Sequence, residues 1–273
     1  MLSQRVKAAL VFTPLVLITI YFGGWVFNLF FAAVLLAATF EYWRLFTKIG
    51  SSPSLVLMLI GVGGTILVRW FLPQPLHGHI LSILIFASAV VSLIQYERGD
   101  EHAALNFGIT LSGILYVGWI GSYLFDLRTL ADGRGWMLTA LPAVWLADSG
   151  GYYFGGWWGK VKMCPRLSPK KSWMGLLGAA IFGTVSGPLL ILLWQTVGWL
   201  PAETPLWFGA LIGLAAGLIT PVGDLLISLF KRTAGEKDTG NLIPGHGGIL
   251  DRIDTWIWGA LLGYYLVLIF GLA

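Results

Sequence analysis

Charge is what this sequence has least of. Lys, Arg, Asp and Glu together make up 11% of the 273 residues, against 57% hydrophobic ones, whereas a soluble domain carries about 25% charged residues. A deficit of that size excludes an ordinary water-soluble globule. It requires that most of the surface faces lipid, in keeping with a mean hydropathy of +0.79. Cysteine is nearly absent, and Cys164 alone excludes an intrachain disulfide. Between Met163 and Pro165 it reads as an ordinary loop residue. Long polar stretches are missing too, so no extracytoplasmic domain, linker or low-complexity tract is expected.

What is abundant is apolar and aromatic. The 14 Trp, 16 Phe and 9 Tyr suit a chain with two membrane interfaces, where such rings collect. A pI of 9.2 invites a nucleic-acid reading. In a membrane protein, however, surplus Lys and Arg reflect orientation and contact with anionic lipid, and no nucleic acid is expected as a partner. Met1 to Gly24 has a basic start and an apolar stretch, superficially like a signal peptide. No small-residue cleavage site stands out and a second apolar run follows at once, so the segment is expected to stay as a first span.

Apolar runs long enough to cross hydrocarbon fall at approximately 8–22, 24–41, 55–72, 79–95, 105–125, 136–155, 173–198, 206–229 and 254–272. The expected fold is therefore an all-α polytopic membrane protein of about nine transmembrane helices. Eight is the alternative if the first two runs, joined by Gly23-Gly24, form one hairpin. With the N-terminus in the cytoplasm, fourteen of the 17 Lys and Arg residues fall on the inside. Only Arg69, Arg128 and Arg134 fall at or beyond the outer ends, the distribution the positive-inside rule demands. The whole chain, 1–273, reads as one integral membrane domain, with an N-terminal helical part at 1–135. A catalytic part at 136–273 carries cytoplasmic loops at 156–172 and 230–253. The frequent glycines within the runs read as sites of close helix approach, and a homodimer is compatible with so glycine-rich a bundle.

Acids in or beside apolar spans are costly and so informative. Glu41 lies at the inner end of its span with Arg44 three residues on, and reads as an interfacial ion pair. Asp148 precedes Ser149-Gly150-Gly151 deep in a span. Asp224 follows Pro221 and Gly223, which weaken the helix, and broken helices are tolerated where they line a cavity or bind an ion.

The densest signal runs from Ser228 to Asp254. Lys231, Arg232, Lys237 and Arg252 supply positive charge for phosphates. Pro244-Gly245-His246-Gly247-Gly248 would let backbone N–H groups approach an anion. Asp238 lies beside Lys237, while Asp251 and Asp254, three apart, share a helical face. Bare carboxylates would repel phosphate, so the acids call for a divalent cation, and Mg²⁺ is the natural choice because it binds through one or two carboxylates plus substrate phosphate. Asp224, Asp251 and Asp254 are the expected ligands, with Asp148 as an alternative further ligand, and a second cation is compatible with so many acids. His246 lacks a second His or Cys at zinc spacing and reads as a phosphate donor, an acid or a ligand. A second basic cluster, Lys160, Lys162, Arg166 and Ser168-Pro169-Lys170-Lys171-Ser172, reads either as a lipid-facing anchor or as a landing site for phosphate.

At these residues the chain resembles the phosphatidate cytidylyltransferase family. The stretch from Ser228 to Asp254 matches that family's signature, S-x-F-K-R, four residues, K-D-x-G, then I-P-G-H-G-G and D-R-I-D. Asp148-Ser149-Gly150, Gly159-Lys160 and Ser168-Pro169-Lys170-Lys171-Ser172 are similar to its second block. The chain departs from the family at Met174, often Glu or Gln there, and at Ser172 and Gly151, often Thr and Ala. The resemblance covers the second half strongly and residues 1–135 only by hydropathy.

It implies transfer of CMP from CTP to phosphatidic acid, with Mg²⁺, at the cytoplasmic face of a bacterial inner membrane. Asp224, Lys231, Arg232, Lys237, Asp238, Asp251 and Arg252 would then be catalytic. Asp148, Ser168, Lys170, Lys171, Ser172, His246, Gly247 and Gly248 would bind substrate. The alternatives are a cytidylyltransferase for another lipid phosphate, a CTP-dependent lipid kinase, which the full signature disfavours, or a transporter. A transporter should show paired broken helices in two related halves and needs no phosphate cradle.

Overall fold

The protein is described by a computed structural model over residues 2–242 and 247–272, with side chains from residue 12 onward. Its elements are almost all helical, because an apolar segment in lipid must satisfy its backbone N–H and C=O groups internally. In chain order they are α1 (Leu2–Phe22), α2 (Gly24–Thr47), α3 (Leu55–Phe71), α4 (His79–Glu97), α5 (Ala103–Gly113), a π-helical stretch (Ile114–Ile120) and α6 (Tyr123–Thr129). There follow α7 (Gly133–Trp158), β1 (Lys162–Cys164), β2 (Ser168–Ser172), α8 (Trp173–Val197), α9 (Leu206–Ile219), α10 (Pro221–Thr233), α11 (Leu250–Ile253) and α12 (Trp256–Ile269).

Five helical stretches among the described residues are long and apolar enough to cross a membrane: Gly24–Thr47, Gln74–Glu97, Ala103–Thr129, Trp173–Val197 and Leu206–Thr233. Phe12–Phe22 and Leu55–Phe71 are shorter apolar helices, and the runs expected at 136–155 and 254–272 are helical as α7 and α12. The chain is a polytopic helical membrane protein.

The all-α expectation needs one local correction. Part of the segment 156–172 forms an antiparallel ribbon, pairing Lys162 with Ser172 and Cys164 with Ser168 across an irregularity. Outside an apolar span the backbone can find partners across strands as well as along a helix.

The chain resolves into two compact units, interleaved along the sequence rather than divided at 135/136. One comprises Met1–Thr13, Gly24–Phe125 and Phe230–Arg252, and the other Pro14–Gly23, Asp126–Leu229 and Ile253–Ala273. The first takes in a late segment because that segment's side chains find their partners on α2. Phe230 meets the rings of Tyr42 and Phe46 at centroid distances of 5.5 and 5.4 Å, and Lys48 pairs with Glu236. The Tyr42 hydroxyl in turn lies 2.7 Å from Ser112 Oγ, which ties α2 to α5. Arg69, which the charge distribution put near an outer helix end, is buried. Its guanidinium stacks over Trp119 and Tyr123, 4.6 and 4.1 Å from the ring centroids, where the ring faces attract the cation.

The second unit is built on glycine. Helices α7, α8 and α9 pack in sequence, and at Gly183–Gly213 and Gly187–Gly209 the backbones of α8 and α9 touch with no room for a side chain. Gly150 and Gly178 do the same between α7 and α8. Lipid supplies no hydrophobic drive between helices, so close van der Waals approach across small residues takes its place. Gly259 and Gly263 bring α12 against Val144 and Ala140 of α7.

This packing predicts a sharp positional contrast. Gly213→Ala places a methyl into the Gly183 carbonyl and should cost about 1–3 kcal/mol, read as a lower thermal midpoint in detergent. Gly156→Ala, whose added carbon meets nothing within 4 Å, should leave the midpoint unchanged or slightly raised.

Candidate active site

In the second unit the polar residues gather round Lys171. At the end of α9 the helix breaks at Thr220, and α10 restarts with Pro221, which has no N–H to lose at a helix start. The Pro221 carbonyl accepts a hydrogen bond from Lys171 Nζ at 3.1 Å. The same ammonium pairs with Asp224 Oδ2 at 2.8 Å. Gly223, between these two, rests against the Asp254 carbonyl and the Trp258 ring, where a side chain would not fit. Asp148 on α7 interacts electrostatically with both Lys171 and Asp224. Lys171 thus pairs directly with Asp224, while Asp148 acts on the pair through its charge. Lys171 is carried there by β2, whose last residue, Ser172, is buried. The Ser172 hydroxyl accepts from Gly175 N at 3.1 Å and caps α8. Ser172 therefore fixes where the ribbon ends and the helix begins. Asp254 is buried with Oδ1 accepting from Thr255 N at 2.8 Å.

The first unit holds the other half of the sequence-nominated residues. Asp251, at the start of the short helix α11, is enclosed by donors. Its Oδ1 accepts from Lys231 Nζ at 2.6 Å, and its Oδ2 accepts from Thr239 N at 2.8 Å, Thr239 Oγ1 at 3.0 Å and Gly248 N at 3.1 Å. Burial alone would push this carboxyl up. The lysine and the backbone N–H groups of Thr239 and Gly248 outweigh that and hold it below its ordinary value. The glycine-rich segment does present backbone N–H groups to an anion, but the anions in place are the protein's own carboxylates. Arg232, Lys237, Asp238 and Arg252 are exposed, and Arg232 donates to the Glu236 carbonyl at 3.2 Å. Lys170 is exposed and Ser168 half-buried in β2 of the second unit. Gly247 lies in the left-handed region at φ +81°. His246, with Pro244 and Gly245, lies outside the described residues. Within neither unit do three His, Cys, Asp or Glu side chains form a ready metal-binding group among the described residues.

Two residues of this network were not nominated from the sequence. Glu41, expected to pair with Arg44, is 2% exposed and bonds instead to Thr239, Ile249 and Leu250, while Arg44 on the same helix is exposed. Thr239 is the hydroxyl shared by Glu41 and Asp251. Glu41 was visible as an acid ending an apolar run. Nothing in local spacing pointed to partners some 200 positions away.

Each unit thus sets a lysine on a carboxylate, Lys171 on Asp224 in one and Lys231 on Asp251 in the other. The chain belongs to the cytidylyltransferase family, whose profile it matches over residues 3–270. It is 31% identical to the phosphatidate cytidylyltransferase of Synechocystis sp., over 98% of this chain and 97% of that protein. It is 33% identical to that of Pseudomonas aeruginosa over 93% of each, and 31% identical to that of Mycobacterium bovis over 90% of this chain and 78% of the other.

The Asp251 network sets a pH dependence. Its folded pKa is lowered from the ordinary 3.8, so its contribution is complete above that value and is lost as pH falls through the lower folded one. The thermal midpoint, followed by tryptophan fluorescence, should therefore fall as pH drops from about 5 toward 3. Asp251→Asn should flatten that fall.

Proposed function

We propose that the protein transfers CMP from CTP to phosphatidic acid, giving CDP-diacylglycerol and pyrophosphate. The observation that carries this reading is the match to phosphatidate cytidylyltransferases along nearly the whole chain, beside which stand the Lys171–Asp224 and Lys231–Asp251 pairs.

In the reaction a phosphate oxygen of phosphatidic acid bonds to the α-phosphorus of CTP. The bond from that phosphorus to the bridging oxygen breaks, and pyrophosphate leaves with the electron pair. The nucleophile is already anionic, so no strong general base is required. The protein's work is to hold two repelling anions in line and to neutralise charge on the leaving group. Arg232, Lys237, Arg252 and Lys170 are exposed cations suited to the phosphates. Lys171 is held in place by the Pro221 carbonyl and Asp224.

The Mg²⁺ expected from the sequence suits Asp148 and Asp224, two carboxylates near enough to act on each other's charge, with Lys171 paired to the second. When bound there it would polarise phosphoryl oxygens and stabilise the leaving pyrophosphate. Asp254 is buried in the same unit, its Oδ1 accepting from Thr255 N. Asp251 spends Oδ2 on three donors and Oδ1 on Lys231, and we assign it to holding its loop.

The bacterial cytoplasmic membrane, with N-terminus and active site facing the cytoplasm and about nine spans, is the setting that the Lys and Arg distribution favours. There cytosolic CTP and inner-leaflet phosphatidic acid meet. That topology puts the C-terminus outside, so a C-terminal tag should be reached by protease added to intact spheroplasts.

The direct test is pyrophosphate release by purified protein in detergent at graded Mg²⁺. Release should require CTP, phosphatidic acid and Mg²⁺ together, and Asp224→Asn should lower it by about 10–100-fold or more. CTP binding without release on phosphatidic acid would redirect the assignment to another lipid phosphate.

A further inference from the structure

Glu41 lies on α2 and is 2% exposed. Its Oε1 accepts from Ile249 N at 3.0 Å, and its Oε2 accepts from Leu250 N and from the Thr239 hydroxyl, each at 2.9 Å. Three donors for a buried carboxylate is what its desolvation demands. All three come from one late segment, on either side of residues 240–248. Asp251 Oδ2 reaches the same Thr239 hydroxyl at 3.0 Å. A hydroxyl carries one hydrogen, so Thr239 joins the two carboxylates through a single shared donor, and Glu41 depends on the backbone N–H groups of Ile249 and Leu250 while Asp251 also has Lys231.

The glycines of the segment fit this arrangement. A side chain at Gly240 would run into the Glu41 carboxylate, and one at Gly248 would run into both Glu41 and the Thr239 hydroxyl. One at Gly247 would approach Asp251 Oδ2 to 2.9 Å, at a left-handed φ that glycine alone adopts freely. The three glycines thus give two protein carboxylates access to the loop backbone.

We propose that Glu41 is a positioning residue for the transfer reaction. By tying both ends of the signature loop to α2 it fixes the Thr239–Asp251–Lys231 network and the place of Arg252, without touching substrate. The inference rests on the cytidylyl-transfer reading above. A buried charge is a poor source of net stability, and the Phe230 ring contacts already hold the segment to α2. What the carboxylate adds is a single loop geometry.

The test compares full-length wild type, Glu41→Gln, Glu41→Asp and Thr239→Val in detergent, with kcat and KM for CTP scaled to folded protein. Hydrogen exchange is measured at 239 and 248–250. Glutamine keeps the size but turns an N–H₂ donor toward donors. It should lower kcat/KM for CTP by about ten-fold or more and speed exchange at those amides, while exchange in α3 is unchanged. Glu41→Asp should recover part of both. Thr239→Val should move both in the same direction by less, and it carries the test if Glu41→Gln does not fold. Unchanged kcat/KM per folded molecule would overturn the proposal. So would a lowered thermal midpoint with unchanged exchange at 239 and 248–250, since that describes a stabilising brace only. A wild type that transfers no CMP would overturn the reaction assigned above, and the exchange comparison would still decide whether Glu41 fixes the loop.

Discussion

A carboxylate withdrawn from water must be surrounded by donors, and in a chain with only 13 acids that requirement organises everything polar. Asp251 and Glu41 draw lysine, hydroxyl and backbone N–H groups about themselves. The segment 230–252 takes its place beside α2 as a result. In the other unit Lys171 pairs with Asp224 and donates to the Pro221 carbonyl, which ties the ribbon carrying that lysine to the start of α10. Buried charge of this kind adds little net stability. Its value is that few alternative arrangements satisfy the same groups, so the loops that bear the exposed cations have defined positions.

Glycine serves two different ends in the two units. Along α8 and α9 it permits backbone contact between helices, where lipid offers no other drive to associate. In the loop it admits carboxylate oxygens to the backbone N–H groups of Thr239, Gly248, Ile249 and Leu250. The same residue type, read from the sequence as close packing in one region and as a phosphate cradle in another, answers in both to a limit on the distance between backbones and their neighbours. In the loop the anions so approached are internal. Arg232, Lys237 and Arg252, the cations proposed for the phosphates, remain exposed.

Placing Glu41 in the same network as Asp251 extends the functional residues into the N-terminal half, where resemblance to the family rests on hydropathy. Its role differs from that of the lysines and arginines. Those proposed for phosphate binding are exposed, whereas Glu41 consumes donors inside the fold. A residue of this kind looks structural in isolation and functional only through what it holds.

The helices were legible in the sequence because apolar runs in lipid have one economical way to satisfy their backbones, and all the expected runs are helical. Asp148, Lys171, Asp224, Lys231 and Asp251 could likewise be picked out, since an acid or base beside an apolar span must have a reason to be there. Spacing could not say which acid pairs with which base. The Glu41–Arg44 expectation shows why: three residues apart they share a helical neighbourhood, yet one side chain is buried and the other exposed. The ribbon at 162–172 and the interleaving of 230–252 with 24–125 were equally hidden, because strand register and long-range hydrogen bonds depend on atoms far apart in the chain. By itself the sequence determined a helical membrane protein, through composition and local pattern. Only the tertiary structure decided that Lys171 serves Asp224, that Lys231 serves Asp251, and that Glu41 holds the loop, because each choice is settled by which donors reach a buried carboxylate once the helices are packed.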